Sequence, residues 1–310
     1  MIKLTQNSYK KPSINNHLKL SAVDRFFLII NDFLLLTALL VVLYPIIYIV
    51  SSSFSSPTAV SSGRVVLFPV GFSLKGYKAV FEHKLIVSGY TNTIFYTFFG
   101  TLVNLVMTIL AAYPLSRKNM PGKKIIVVLF SFTMIFSGGL IPSYMLNSNL
   151  GLINTRLVLM IPNAISVFNM IIARTFFESD IPEELVEAAQ IDGCDHIRFL
   201  FKVVLPLSKP ILAVLALYYA VGHWNAYFDA FIYLSKKEFF PLQIILREIL
   251  VLNTINQTLI VDPVLAAARQ GMSDLLKYSL IVVSSVPFIA IYPFVSKYFI
   301  KGALVGAIKG

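Results

Sequence analysis

One polar stretch decides the fold: E-A-A-Q-I-D-G-C-D-H-I-R-F-L-F-K-V-V-L-P, residues 187–206. It is rich in charged side chains and lies between long apolar runs. Charged side chains are costly inside hydrocarbon, so a segment of this kind does not stay within a bilayer. The pattern therefore predicts a structured loop at a membrane surface.

Composition places the chain among integral membrane proteins. Hydrophobic residues make up 57% of the sequence and charged residues only 13%, whereas soluble domains have about 25% charged residues. One soluble core cannot bury that much apolar surface. The net charge of +11 comes from cations beside the apolar runs. This is the pattern of orientation signals and lipid-headgroup contacts, so we expect no nucleic-acid binding.

Apolar runs of about 20 residues are needed to cross the hydrocarbon core, and the sequence predicts six. They cover residues 26–50, 93–115, 125–146, 157–177, 211–234 and 278–299. We therefore expect an all-α integral membrane protein with six transmembrane helices. In this division, residues 1–25 form an N-terminal segment, residues 26–299 the membrane domain and residues 300–310 a tail.

Lysine and arginine in the short connections predict the orientation. The N-terminal segment is basic, and residues 117–124 hold four cations, whereas the third connection has only Arg156. This puts both termini and the second and fourth connections in the cytoplasm. Two long segments then lie outside, at residues 51–92 and 235–277, and the first should contain irregular structure.

Local signals predict a helix near the start of the fourth connection, residues 178–210. Asp180 is a candidate N-cap, and Pro182 suits a first turn. Acidic side chains follow where the helix dipole favours them. We therefore expect a helix over residues 182–191.

A second short helix is predicted after a turn at Gly193. Glycine permits a left-handed backbone conformation there, and Asp195 is placed to cap a helix over residues 197–204. That helix should stop before Pro206. On spacing alone, the pair could be an ordinary helix–turn–helix that covers the end of the bundle.

The order E-A-A, then D-G, then L-P-L resembles the coupling loop of the permease subunits of bacterial ABC importers. In that family a helix pair docks in a cleft of the ATPase and transmits its closure to the spans. The resemblance implies a six-helix permease bundle with a cytoplasmic coupling helix. The matching positions are Glu187, Ala188, Ala189, Asp192, Gly193, Leu205 and Pro206.

The C-terminus looks like the tail of the maltose-type second permease. This implies that Gly302, Gly306 and Lys309 contact the ATPases. Without the family, the glycines argue against a rigid helix, and the lysines could contact anionic lipid. The segment F-S-G-G-L-I-P-S-Y at residues 136–144 resembles the branch associated with complex oligosaccharides.

The resemblance also implies a machine of several chains in the bacterial cytoplasmic membrane. Its partners would be a second permease in a heterodimer, an ATPase dimer that holds ATP and magnesium, and an extracellular or lipid-anchored sugar-binding protein. This chain would then carry no cofactor and no enzymatic activity. It lacks a G-x-x-x-x-G-K-[ST] loop and an H-E-x-x-H pair, and its single cysteine, Cys194, excludes an internal disulfide.

Polar and aromatic side chains in the fifth predicted span mark a candidate substrate path. Aromatic stacking with amide and carboxylate hydrogen bonds suits a saccharide, which has apolar C–H faces and hydroxyl edges. The candidate residues are Trp224, Asn225, Tyr227, Asp229 and Asn92. The alternative is that the aromatic rings belong to an interfacial belt and Asn225 only bonds a neighbouring helix.

Together these features predict the permease subunit of an ATP-driven, binding-protein-dependent importer of oligosaccharides that works by alternating access. One alternative is an ABC importer for another solute. A different class, a secondary transporter acting alone, would need charged or proton-relay side chains deep in the spans. Only Asp229 comes near that requirement.

Overall fold

The computed structural model describes residues 21–255 and 263–307, and every regular element in those ranges is a helix. The expected all-α fold is thus confirmed for the described residues. The α-helices are α1 (Ala22–Ser53), α2 (Pro57–Ser61), α3 (Lys75–Glu82), α4 (Lys84–Ser116), α5 (Lys123–Ile135), α6 (Leu140–Asn149), α7 (Val167–Ser179), α8 (Glu183–Ile191), α9 (His196–Phe199), α10 (Leu205–Leu207), α11 (Lys209–Trp224), α12 (Phe228–Tyr233), α13 (Leu242–Ile255) and α14 (Pro263–Ala307).

Three helices in the described ranges are long and apolar enough to cross a membrane: Ala22–Ser53, Lys84–Ser116 and, within α14, Gln270–Ile291. Two bent helix pairs would raise the number to five if each counts as one span. One pair is α5 with α6, at 114°, and the other joins His196–Leu207 to Lys209–Trp224, at 83°.

Three of the predicted spans are not single helices. Residues 125–146 divide into α5 and α6, because the chain turns at Gly139, whose φ of +84° favours glycine. Residues 157–177 hold a short 3₁₀ turn, then a non-helical stretch at 160–166, and then α7. Residues 211–234 are interrupted at 225–227, between α11 and α12.

The chain falls into two units, residues 1–48 and residues 49–310. The described part of the first unit is most of α1, a helix that is apolar along nearly its whole length. A helix that is hydrophobic on all sides is typical of a membrane span. α1 therefore agrees with the predicted first span.

Serine hydroxyls anchor the segment that follows α1. Ser51 Oγ donates to the carbonyl of Leu67 (2.6 Å), and Val70 N–H donates to Ser55 Oγ (3.0 Å). Residues 62–74 are irregular, as expected, but residues 57–61 and 75–82 form α2 and α3. α3 packs against α14, because Gly76 lets the two helices approach closely.

Two apolar clusters form the core of the second unit. The α13 cluster joins α4, α12, α13 and α14, with Tyr96, Leu242 and Leu280 buried at its centre. The α8 cluster joins α4, α7, α8 and α11, with Phe177 and Leu215 fully buried. α4 runs through both clusters and so links the two ends of the bundle.

The segment 235–277 contains regular structure that the sequence did not predict. After the 3₁₀ turn at Lys237–Phe239, α13 packs against α4, and α14 begins at Pro263. α14 then continues to Ala307 without a helix end at residue 300. Gly302 and Gly306 therefore lie inside a helix, so the expectation that glycines prevent a helical tail was wrong. Lys309 lies outside the described residues.

Candidate coupling element and transport site

The α8 helix begins at Glu183, and Pro182 occupies its N-cap. Asp180, the predicted N-cap, instead ends α7, because its own N–H donates to the carbonyl of Phe176 (2.9 Å). The N-cap prediction was therefore wrong. The prediction of a helix over 182–191 is confirmed to within a residue, with acidic side chains in the first turn.

One side of α8 packs on the membrane helices, and the other side is exposed. Val186 is buried in the α8 cluster, and Ala189 packs on the edge of that cluster. The predicted docking residues Glu187 and Ala188 are exposed. Four large apolar side chains in α8, α9 and the turn after α9 are also exposed: Leu185 (42%), Ile191 (87%), Ile197 (68%) and Phe201 (63%). Exposed apolar side chains make this element a candidate for contact with another chain.

The turn after α8 has the predicted left-handed residue. Gly193 has a φ of +71°, and a Cβ at this position would meet nothing within 4 Å. Asp192 is the C-cap of α8, and the N–H of Cys194 donates to the carbonyl of Ala189 (2.8 Å). Asp195 caps α9 by accepting from the N–H of Arg198 (2.7 Å), as predicted. The turn is therefore held by its own chain and leaves Gly193 open to a partner.

The second helix does not stop before Pro206. The chain passes from α9 through a π-helical turn at Leu200–Val204 into α10, which contains Leu205 and Pro206. Proline has no N–H and its ring crowds the preceding turn of a regular α-helix. The wider π-helical turn accommodates that ring. The chain changes direction at Ser208, where the 83° bend begins.

Hydrogen bonds tie this element to the ends of the membrane helices. Tyr113 Oη, near the end of α4, donates to the carbonyl of His196 (3.3 Å). Arg117 Nη2 donates to the carbonyl of Phe177, at the end of α7 (2.8 Å), and its guanidinium lies 5.3 Å from the Tyr113 ring centre. These bonds tie α9 to the end of α4, and the end of α4 to α7.

Glu178 of α7 pairs with Lys123 of α5 and with Arg174 of its own helix. Its carboxylate binds Lys123 and accepts from Arg174 Nη2 (3.1 and 3.2 Å). Burial by itself raises the pKa of Glu178, but the hydrogen bonds and charges of Lys123 and Arg174 outweigh it and lower that pKa below its usual value. The ionised form is therefore the one that the fold stabilises.

We expect Glu178→Gln to lower the thermal stability of the purified protein at pH 7. A carboxyl group with a lowered pKa stabilises the fold above its unfolded-state pKa, about 4.3, and that stability is lost as the pH falls through the folded-state pKa. Thermal unfolding of both proteins at several pH values measures this. The difference should shrink towards zero as the pH falls below about 4. A difference that does not change with pH would contradict the assignment.

Two of the predicted path residues lie at the end of α11. Trp224 is buried, donates from Nε1 to the carbonyl of Ser284 (3.2 Å) and packs edge-on against two rings, those of Tyr90 and Phe288. Asn225 is exposed and donates from Nδ2 back to the carbonyl of Val221 (3.0 Å). In this conformation Trp224 packs inside the bundle, whereas Asn225 is accessible.

Tyr227 and Asp229 lie on different sides of α12. The Tyr227 ring packs near Phe231 and under the guanidinium of Arg247, which lies 5.6 Å from its centre. Asp229 is half-buried and accepts from Nδ2 of Asn163 (3.2 Å), on the stretch before α7. Asp229 therefore faces the membrane bundle at a polar contact, and Tyr227 faces α13.

Asn92 has a different environment from the other predicted path residues. It is buried, and its Nδ2 donates to the carbonyls of Glu238 (2.7 Å) and Phe240 (3.1 Å). Its Oδ1 accepts from Arg156 Nη2 (3.2 Å). The first two bonds hold the 235–241 segment on α4, and the third joins α4 to the 3₁₀ turn at Arg156–Leu159, so in this conformation Asn92 serves packing.

The structure adds one residue that the sequence did not single out, His223. His223 Nε2 lies 2.6 Å from Oδ1 of Asn104, although 119 residues separate them. His223 also packs against Gly100, one turn before Asn104 on α4. Gly100 and Asn104 are four residues apart on one face of α4, so both meet the His223 ring.

The accessible amide and carboxylate groups of Asn163, Asn225 and Asp229 can form hydrogen bonds with hydroxyl groups. Among residues 21–255 and 263–307, no group of three or more histidine, cysteine, aspartate or glutamate side chains could hold a metal ion. The fold and these residues define a helical membrane protein with an exposed short helix, α8, and polar breaks between its apolar helices.

No known family profile matches the chain, but individual proteins do. It is 38% identical over 285 residues to the polygalacturonan/rhamnogalacturonan transport system permease protein YtcP of Bacillus subtilis (strain 168), covering 92% of this chain and 98% of that one. It is 39% identical over 272 residues to Protein LplC of the same organism, covering 87% and 90%. The melibiose/raffinose/stachyose import permease protein MelC, also from B. subtilis, is 29% identical over 248 residues, covering 79% and 84%.

The fold matches a solved transporter as well. A chain in the crystal structure of a bacterial ABC transporter involved in the import of the acidic polysaccharide alginate superposes with a TM-score of 0.82 at 39% identity, covering 90% of this chain and 99% of that one. The chain therefore belongs to the family of permease subunits of carbohydrate ABC transporters.

Proposed function

We propose that this chain is one of two permease subunits of an ATP-driven importer of oligosaccharides in a bacterial cytoplasmic membrane. The observation that carries the proposal is the match of about nine-tenths of the chain, at 38% and 39% identity, to a saccharide transport permease and to a chain of the alginate importer. Other relatives are also named as saccharide permeases. Saccharides are therefore the class of substrate to test.

In this proposal the bundle crosses the membrane six times. The three long apolar helices give three crossings, and the two bent pairs give two more. α7 with the non-helical stretch before it gives the sixth, because buried protein partners satisfy the open backbone there. Both termini then lie in the cytoplasm, on the same side as α8, in agreement with the distribution of cations.

α8 is proposed as the coupling helix that docks in the ATPase. Its side chains Leu185 and Ile191 are exposed, and its buried Val186 packs in the α8 cluster with side chains of α4 and α7. ATP and magnesium would be held by that separate ATPase chain. The end of α14, with Gly302 and Gly306, is proposed to reach the same partner.

The substrate is proposed to be an oligosaccharide delivered by an extracellular or lipid-anchored binding protein. Two relatives are named for transport of polygalacturonan/rhamnogalacturonan and of the acidic polysaccharide alginate. Fragments of acidic polysaccharides therefore come first in any substrate panel, followed by neutral galactosides of the kind named for MelC.

The experiment is ATP hydrolysis by the complex, purified from its source and reconstituted in lipid with its binding protein. We expect at least one oligosaccharide of the panel to raise the hydrolysis rate about fivefold. This change corresponds to roughly 1 kcal/mol. Failure of any ATPase to co-purify would contradict the coupling helix. An ATPase that co-purifies and ignores every saccharide would contradict the substrate class.

A further inference from the structure

Two helix breaks meet inside the bundle. The first is the non-helical stretch 160–166 before α7, and the second is 225–227 between α11 and α12. A hydrogen bond brings them together, because Asn163 Nδ2 in the first break donates to Oδ2 of Asp229, two residues after the second break in the first turn of α12 (3.2 Å). Discontinuous membrane helices in corresponding positions are the structural feature that marks binding sites in many transporters.

Asn104 on α4 satisfies the open backbone of the first break. Its Nδ2 donates to the carbonyls of Asn163 (2.8 Å) and Ala164 (3.0 Å). The amide nitrogen is therefore committed to these carbonyls, and the amide oxygen is the atom that faces His223 Nε2 at 2.6 Å. Because that oxygen only accepts, Nε2 of His223 carries the proton and donates it. The pair thus fixes the first break against α11, next to the second break.

The hydroxyl group of Tyr219 also holds the first break in position. Tyr219 Oη, one turn before His223 on α11, bonds Thr108 Oγ1 on α4 (2.6 Å) and accepts from the N–H of Ser166 (3.2 Å). The first break is therefore held at its middle and at its last residue by side chains from α4 and α11. Its geometry is defined without any contribution from a ligand.

The meeting point of the breaks is open on one side. Asn163 and Asn225 are exposed, Asp229 is half-buried, and Phe228 is 53% exposed. Amide and carboxylate groups at membrane depth do not face lipid, because each polar group left without a partner there costs several kcal/mol. Such groups face a water-filled passage or another protein chain.

The chemistry of the opening matches a saccharide. A carboxylate accepts hydrogen bonds from hydroxyl groups, and a primary amide both donates to them and accepts from them. The exposed ring of Phe228 offers an apolar surface for the C–H face of a sugar ring. The bound group would therefore be a pair of neighbouring hydroxyls, with no requirement for a charge on the sugar.

We propose that the two breaks form a site for saccharide hydroxyl groups on the import path, where Asn163 and Asp229 contact the sugar. This inference rests on the proposed function. His223 and Asn104 are positioning residues that hold the breaks together and do not touch the sugar. The proposal thus gives His223 a role for the first time. Asn163 and Asp229 would contact the sugar together.

The test is the number of saccharide molecules imported per ATP hydrolysed by the complete reconstituted transporter. We expect Asp229→Asn to lower this ratio about tenfold, the effect of losing a hydrogen bond to a charged group. Asp274→Asn is the matched control, because Asp274 bonds Gln270 and Lys277 on α14 and lies outside the site. An unchanged ratio for Asp229→Asn would overturn the site.

The positioning role has its own test. His223→Gln keeps an N–H donor near the place of Nε2, whereas His223→Leu removes it. We expect the leucine variant to lose about tenfold in the same ratio and the glutamine variant to recover most of it. If His223 has only a structural role, the variants should give a lower yield of intact complex but the same ratio of saccharide imported to ATP hydrolysed. That result would overturn the assignment.

Failure of the two proposals can be told apart. If the wild-type complex imports no saccharide, the proposed function has failed. If the wild-type complex imports saccharide and the Asp229 and His223 variants keep its ratio, only the site at the breaks has failed. Loss of the second permease subunit from the Asp229→Asn complex would also overturn the site, since the face would then be a subunit contact.

Discussion

Gly193→Val is expected to abolish saccharide uptake, with a loss of at least about tenfold, while the protein still inserts in the membrane. Valine is β-branched and strongly disfavoured at the φ of +71° that Gly193 adopts. The added side chain meets nothing within 4 Å in this chain, so folding suffers only the local strain of an exposed turn. A partner surface seated against the turn would instead be displaced, and each 1.4 kcal/mol lost there is about tenfold in affinity.

Gly122→Val is the matched control for this experiment. Gly122 has a φ of +72° in the connection between α4 and α5, and a Cβ there also meets nothing within 4 Å. The local strain is therefore the same, and only the position differs. Uptake per unit of membrane-inserted protein, with co-purification of the ATPase, measures both variants. Equal losses at the two glycines would mean that strain, and not docking, explains the effect.

Gly100→Val is expected to destabilise the protein by about 1–3 kcal/mol, the usual range for overpacking a well-packed site. A Cβ at Gly100 would lie 2.5 Å from Cε1 and Nε2 of the His223 ring. The ring would have to move, and its hydrogen bond with Asn104 would be lost. The midpoint of thermal unfolding of the purified protein measures the effect, and saccharide import per ATP should fall with it.

Gly222→Ala provides the comparison, one residue before His223. Its Cβ meets nothing within 4 Å, and alanine within a helix is favoured over glycine by about 0.5–1 kcal/mol. We expect this variant to be at least as stable as the wild type. A Gly100→Val protein with unchanged stability would show that α4 and α11 do not approach closely at this point.

Much of the coupling element was predictable because its signals are local. Glycine at a left-handed position, aspartate before a helix and acids in a first turn act within four residues along the chain. Gly193, Asp195 and the extent of α8 were therefore identified correctly. Asp180 and Pro206 were misjudged, since α7 continues two residues further than the predicted span and a π-helical turn accommodates the proline.

The transport site was less predictable. A polar residue in an apolar run indicates a functional or a packing role equally well. Asn92 and Asp229 illustrate this, because Asn92 is buried against backbone carbonyls of the 235–241 segment, whereas Asp229 lies at an open polar contact. Which role each residue has depends on what the rest of the chain places beside it.

The sequence by itself determined the class of protein, its place in a membrane and the position of α8. The length of an apolar run, the composition and helix capping depend on residues that are neighbours along the chain. Their effects are therefore the same however the distant helices pack. Only the tertiary structure decided where the helices break and which breaks meet. The contacts of Asn104 with His223 and of Asn163 with Asp229 join residues 119 and 66 positions apart. Such pairs come together only when distant helices pack, so no local pattern reveals them.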